Sequence, residues 1–251
     1  MKLLGLIAVL ITGSLLLLTV GDLPAWGDPN SPASKSPIST HFIKETLNET
    51  SVPNLVTAVL ADYRGFDTLF ETVVVLTGGI AIIAILGRPS RARKPILSTA
   101  KKDESEGLII YTTCRILIPI IQLFALYVIM HGHHSPGGGF QGGVMLGASF
   151  ILLAVAGDLP SALQRLSEQR ALILACAGVL IYAGIGVICL LLGNNFLDYG
   201  VLSRILPATT IVAARSHSML GVEIGVAFTV ASVMFLIYAH LSSQGKLQDG
   251  L

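Results

Sequence analysis

ALILACAGVLIYAGIGVICLLL, residues 171–192, runs for 22 positions without a charged side chain. A helix rises about 1.5 Å per residue, so this stretch can cross a hydrocarbon layer about 30 Å thick. Apolar and polar residues do not alternate in it, so its backbone polar groups must be satisfied within a helix. Working outward, five further stretches read the same way: about Leu3–Val20, Thr68–Gly87, Leu108–Met130, Phe140–Gly157 and His217–His240. The predicted fold is an all-α membrane protein with six transmembrane helices.

Composition agrees. The chain has 251 residues, of which 53% are hydrophobic and 12% charged, whereas soluble domains carry about 25% charged residues. Mean hydropathy is +0.75. A net charge of +1 gives no electrostatic case for nucleic acid as a partner. Cys114, Cys176 and Cys189 lie in apolar runs without metal-ligand spacing and read as packed or lipid-facing thiols. The sequence contains no nucleotide-binding loop, redox-cofactor motif or catalytic triad. It therefore reads as a non-catalytic chain that needs no cofactor.

Basic residues orient the helices. Arg88, Arg91, Arg93, Lys94, Lys101 and Lys102 follow the second stretch, and Arg165 and Arg170 follow the fourth. With Lys2 and Lys246 they make ten on one side, against Lys35, Lys44, Arg64, Arg204 and Arg215 on the other. Both termini are expected in the cytoplasm. Arg115 is left out of this count because it lies inside the third stretch. The first stretch also has the form of a secretory signal, but its apolar run is long and the cleavage signal near Ala25–Gly27 is weak, so a retained anchor is expected. Gly21–Pro53 reads as an outside loop, poorly ordered at its start. The segment Arg88–Gly107 reads as an inside linker. The chain thus divides into a two-helix module at 1–97, a linker at 98–107, a four-helix domain at 108–242 and a tail at 243–251.

An ionisable side chain in the hydrocarbon costs about 2.5–3.5 kcal/mol on insertion scales and is a functional candidate by default. Glu71 ends the run DYRGFDTLFE, residues 62–71, and on a helix it shares one face with Arg64 and Asp67. Its carboxylate suits proton exchange or hard-oxygen ligation of sodium; an interfacial ion pair that pins the helix is the plainer alternative. Glu223, in HSMLGVEIG (217–225), has no basic residue three or four positions away. It is either an ion-path acid or a glutamic acid bonded between helices for packing.

HGHHSPGGGFQGG, residues 131–143, joins the third and fourth stretches. His131 and His134 can meet on one turn, and with His133 they suggest either ion access or, without a fourth ligand nearby, a weak metal reading. The glycines explain the segment as a loop that needs positive φ and close backbone approach. Gly139, Gly143 and Gly147 form a small-residue stripe for helix packing, as do Gly221 and Gly225. Pro119 interrupts the third helix one turn before Gln122.

This histidine–glycine segment resembles the hallmark of the MrpB (MnhB) subunit family of Mrp-type multisubunit Na+/H+ antiporters. Residues 108–242 match that family's four-helix extent, and Gly221–Gly225 resembles its glutamate-bearing last helix. Residues 54–71 are similar to the carboxy-terminal part of the large MrpA subunit, and to a small separate subunit of membrane-bound hydrogenases. In those families the acid at the position of Glu71 is taken to lie on an ion path. The resemblance implies sister subunits, large and antiporter-like as well as small, in a bacterial-type inner membrane, with sodium and protons as the exchanged ions. Glu71 and Glu223 would be the exchangeable acids, with Asp67 and the histidine loop shaping access. A redox-driven complex and a purely structural scaffold are the competing readings. The fusion departs from the family's common gene layout.

Overall fold

A computed structural model describes residues 2–32, 34–86, 104–206, 210–243 and 245. Arg88, Arg91, Arg93, Lys94, Lys101, Lys102 and Lys246, on which most of the orientation argument rests, lie outside the described residues, as does most of the linker and tail. The described residues contain helices and no strand, and six helices are long and apolar enough to cross a membrane. These are α1 (Lys2–Val20), α4 (Gly65–Leu86), α5 (Glu104–His131), α6 (Gly139–Ala156), α8 (Glu168–Leu191) and α9 (Ile211–Ser242). Between them lie the shorter α2 (Pro37–Thr50), α3 (Leu55–Ala58) and α7 (Leu159–Arg165).

Two compact units form, Met1–Glu45 and Thr46–Leu251. In the first, α1 is exposed along nearly all its length, as expected of a helix solvated by lipid. The segment read as an outside loop contains α2, which begins at Pro37, where the missing N–H costs nothing. The missed signal is the spacing of Ile38, Phe42, Thr46 and Thr50 at every fourth position.

In the second unit α9 is the centre, with α4, α6 and α8 packed around it and α5 behind α6. It is apolar on every side from Val222 to Leu236 except for Glu223, Thr229 and Ser232, as a fully surrounded helix should be. It starts at Ile211, six residues earlier than the sequence suggests, because Thr210 caps it by accepting from the Ala213 N–H.

Small residues set the approach of α9's neighbours. A Cβ on Gly143 would stand 3.0 Å from the Ala227 carbonyl oxygen, and one on Gly147 would stand 2.9 Å from that of Ala231. On the other flank, a Cβ on Gly225 would meet the Gly178 carbonyl at 2.7 Å, and one on Gly221 would meet Ile185 at 3.1 Å. A Cβ on Gly79 of α4 would meet Val233 at 2.8 Å. In α5, Pro119 sits inside the helix and Gln122 donates to Ser149 Oγ at 3.2 Å.

These contacts give a direct test. Gly143→Leu should destabilise the purified protein by about 2 kcal/mol or more, because overpacking against backbone cannot relax. Gly184→Ala, with open space at its Cβ, should leave the thermal midpoint in detergent unchanged or slightly raised.

Candidate functional site

Where α5 ends and α6 begins, the histidine–glycine loop closes over Glu223, about three turns into α9. This side chain is 8% exposed, and its Oε2 has no hydrogen-bond partner. Its walls are glycines. A Cβ on Gly138 would lie 2.8 Å from Oε1, one on Gly132 would lie 3.0 Å from Oε2, and one on Gly139 would strike the Glu223 backbone. Gly138 also holds φ +122°, which side chains rarely adopt. The glycines read from sequence as loop and packing devices therefore form the cradle of the acid.

The loop's own carbonyls are bonded from the segment before α4. Asn54 Nδ2 donates to the Gly132 and Ser135 carbonyls at 2.8 and 2.9 Å, and its backbone N–H donates to the His133 carbonyl at 2.9 Å. Thr57 Oγ1 adds a bond to Gly132 at 2.8 Å. His133 is buried, and its Nε2 donates to the Ser216 carbonyl at 3.0 Å, which fixes the tautomer. His131 stacks on Tyr127 with ring centres 4.7 Å apart, and the exposed His134 stands 5.6 Å from it. Among the described residues no three His, Cys, Asp or Glu side chains converge to hold a metal.

Glu71 and Asp67 are exposed on α4. Asp67 pairs with Arg64 at 2.5 Å. The structure does not bring Glu71 to Glu223, but it sets them level. Both helices run from the same end and touch at Gly79 and Val233; Glu71 and Glu223 lie eight and ten residues before that contact, a difference of about 3 Å in depth.

A second polar group, not anticipated from sequence, lies beside the loop. Arg215 Nε donates to Asp62 Oδ2 at 2.7 Å, with side chains 23% and 10% exposed. The guanidinium also lies 5.7 Å from the Tyr63 ring centre, and the Tyr63 hydroxyl donates to Glu49. Asp62 belongs to a π-helical turn, Val59–Tyr63, in place of the continuous helix that the spacing suggests. Such a turn frees carbonyls. Tyr199 donates to Ala61 O at 3.0 Å, Thr68 to Leu60 O at 2.8 Å and Tyr182 to Gly65 O at 2.9 Å. An open cavity of about 600 Å3 beside the turn is lined by Asp62, Arg64, Asp67 and Asp198. At the opposite end of the bundle, buried His240 bonds Glu168 at 3.0 Å. No local pattern signals these pairs, whose members stand 153 and 72 positions apart.

A family described as "Domain related to MnhB subunit of Na+/H+ antiporter" matches residues 109–236, just over half of the chain. The chain belongs to this MnhB-related family. It is a multi-pass membrane protein, and a second family, MbhE, of MBH subunits, matches residues 30–103. The MnhB relatives include the putative antiporter subunit mnhB2 of Staphylococcus aureus, 28% identical over 55% of this chain and 96% of that one. The uncharacterized protein MJ1307 of Methanocaldococcus jannaschii is 28% identical over 66% of this chain and 64% of its own. The probable K+/H+ antiporter A/B subunit of Rhizobium meliloti is 27% identical over 48% of this chain, which spans only 14% of that protein. In structure the chain resembles part of the Mrp complex from Dietzia sp. DQ12-45-1b, with TM-score 0.69 and 25% identity over 96% of this chain and 26% of that one. An archaeal membrane-bound sulfane sulfur reductase shares the fold, with TM-score 0.61 and 23% identity over 94% of this chain and 97% of that one.

Burial, reinforced by His134 and His217 and opposed by the Ser216 carbonyl, holds the His133 imidazole below its ordinary value of 6.5. An opened loop takes up a proton at the ordinary value, before the closed loop does. The closed MnhB loop should therefore lose stability as pH falls below about 6.5 and be unaffected well above it. Hydrogen exchange at the 132–138 amides, corrected for intrinsic rates, should show this loss of protection, and His133→Gln should flatten it.

Proposed function

We propose that this chain is a non-catalytic membrane subunit of a multisubunit cation/proton antiporter, and that Glu223 is an exchangeable acid on its ion path. The observation that carries this reading is the buried carboxyl with an unpartnered oxygen, walled by the glycines of the histidine–glycine loop. A carboxyl held only for packing would have its oxygens bonded, since an unmade bond at a buried group costs about 1–3 kcal/mol. An oxygen left open is available to a proton or a sodium ion.

Glu71 is the second acid on the path, at the same depth but on the outward face. A carboxylate facing lipid is costly, so this face of α4 seats a sister subunit, whose side chains complete the route. Asp67 and the His131–His134 end of the loop shape access from outside, beside the cavity at Asp62. Both termini are cytoplasmic, and the complex resides in the cell membrane. The large antiporter-like subunits supply the conformational steps. The match to the MbhE family favours one alternative, in which the same path serves the membrane arm of a redox-driven pump.

The test is sodium-dependent proton flux in everted vesicles carrying the whole complex. Glu223→Gln should lower flux at least tenfold with assembly unchanged, and Glu71→Gln should lower it too. Normal flux in both variants would make the acids structural and the chain a scaffold.

A further inference from the structure

Arg115 has no place in the path just described. It lies six residues beyond Ile109, where the apolar part of α5 begins, hence about 9 Å inside the helix end. It lines a cavity of about 500 Å3 between α5, α6 and α7, together with Arg165. Tyr111 also lines the cavity, and Ile118, Phe150 and Leu153 form its apolar wall. Among the described residues no carboxylate lines it. Among the described residues neither arginine has an ion-pair partner. Asp158, the nearest acid in the α6–α7 connection, caps α7 by accepting from the Ser161 N–H at 2.8 Å, and Glu168 is taken by His240. Pro119 has no N–H to give the Arg115 carbonyl one turn back, so the helix is locally weakened beside the cavity.

Each arginine alone has an ordinary explanation. Arg165 complements the last turn of α7, and Arg115 is able to extend towards the interface. Together they put two guanidiniums, unpaired among the described residues, in one cavity whose other lining is mostly apolar apart from Tyr111 and Gln122. That is the pattern of an amphiphile: an anion held by bidentate donors, continued by hydrocarbon. The described lining comes from α5, α6, α7 and the α6–α7 connection of this one chain.

We propose that the Arg115–Arg165 cavity binds an anionic membrane phospholipid. The two guanidiniums hold its phosphate, and an acyl chain lies along Ile118, Phe150 and Leu153.

The whole complex, reconstituted in nanodiscs with a photo-crosslinkable phosphatidylglycerol, tests this. Labelling of the 109–122 and 150–165 peptides should exceed that from the matching phosphatidylcholine at least fivefold. Arg115→Gln with Arg165→Gln should remove that excess while assembly is unchanged, and the corresponding double lysine variant should keep most of it. Equal labelling by the two lipids would overturn the proposal, as would labelling indifferent to the glutamine variant. Competition by millimolar inorganic phosphate would also overturn it, reassigning the site to a soluble anion. So would a crosslink from position 115 to a sister subunit in place of lipid, which would make the cavity a protein seat.

Discussion

The Glu223 side chain leaves no room for a Cβ on the loop that faces it, and much else follows from this steric constraint. Gly138 and Gly139 are glycines because the carboxyl and its own backbone fill the space where side chains would stand, and Gly132 because the Gly138 backbone and the carboxyl do. A loop so rich in glycine has little side-chain packing to hold it and a large entropy to lose on ordering. Its carbonyls need donors, and Asn54 and Thr57 provide them. One asparagine thus ties a segment matched by one family to a loop matched by the other. In this chain the two family-matched segments are joined by hydrogen bonds at the candidate ion site.

The π-helical turn at Val59–Tyr63 belongs to the same arrangement. It ends the segment that carries Asn54 and begins the one that carries Asp67 and Glu71. Two of its carbonyls are answered from outside it, Ala61 by Tyr199 and Leu60 by Thr68. The Asp62–Arg215 pair then fixes the turn to the first part of α9. A partly buried pair of this kind adds little net stability, but losing one partner leaves the other without its counter-charge. It therefore specifies the register between α9 and the turn more than it strengthens the fold.

Much of this was legible in the sequence. Apolar runs located six helices, since length and hydropathy are the bilayer's main demands. The glycine stripe at 139, 143 and 147 announced a close helix contact, and Glu223 stood out as an acid without a local partner. Its enclosure by the histidine–glycine loop was not legible, because the two segments lie some 85 positions apart and no local period links them. The pairing of Asp62 with Arg215 was not legible for the same reason. α2 was hidden by its polar composition, and Arg115, set aside when charges were counted, shares a cavity with Arg165 only because α7 folds back towards α5.

The central claim is that the Glu223 carboxyl exchanges its ion inside the glycine cradle. Infrared difference spectroscopy of the whole complex, with and without sodium, reads that carboxyl directly. We expect a carboxyl band that responds to sodium, disappears in Glu223→Gln and survives in Glu71→Gln at reduced amplitude. A sodium response unchanged by Glu223→Gln would contradict the account and return Glu223 to a packing role.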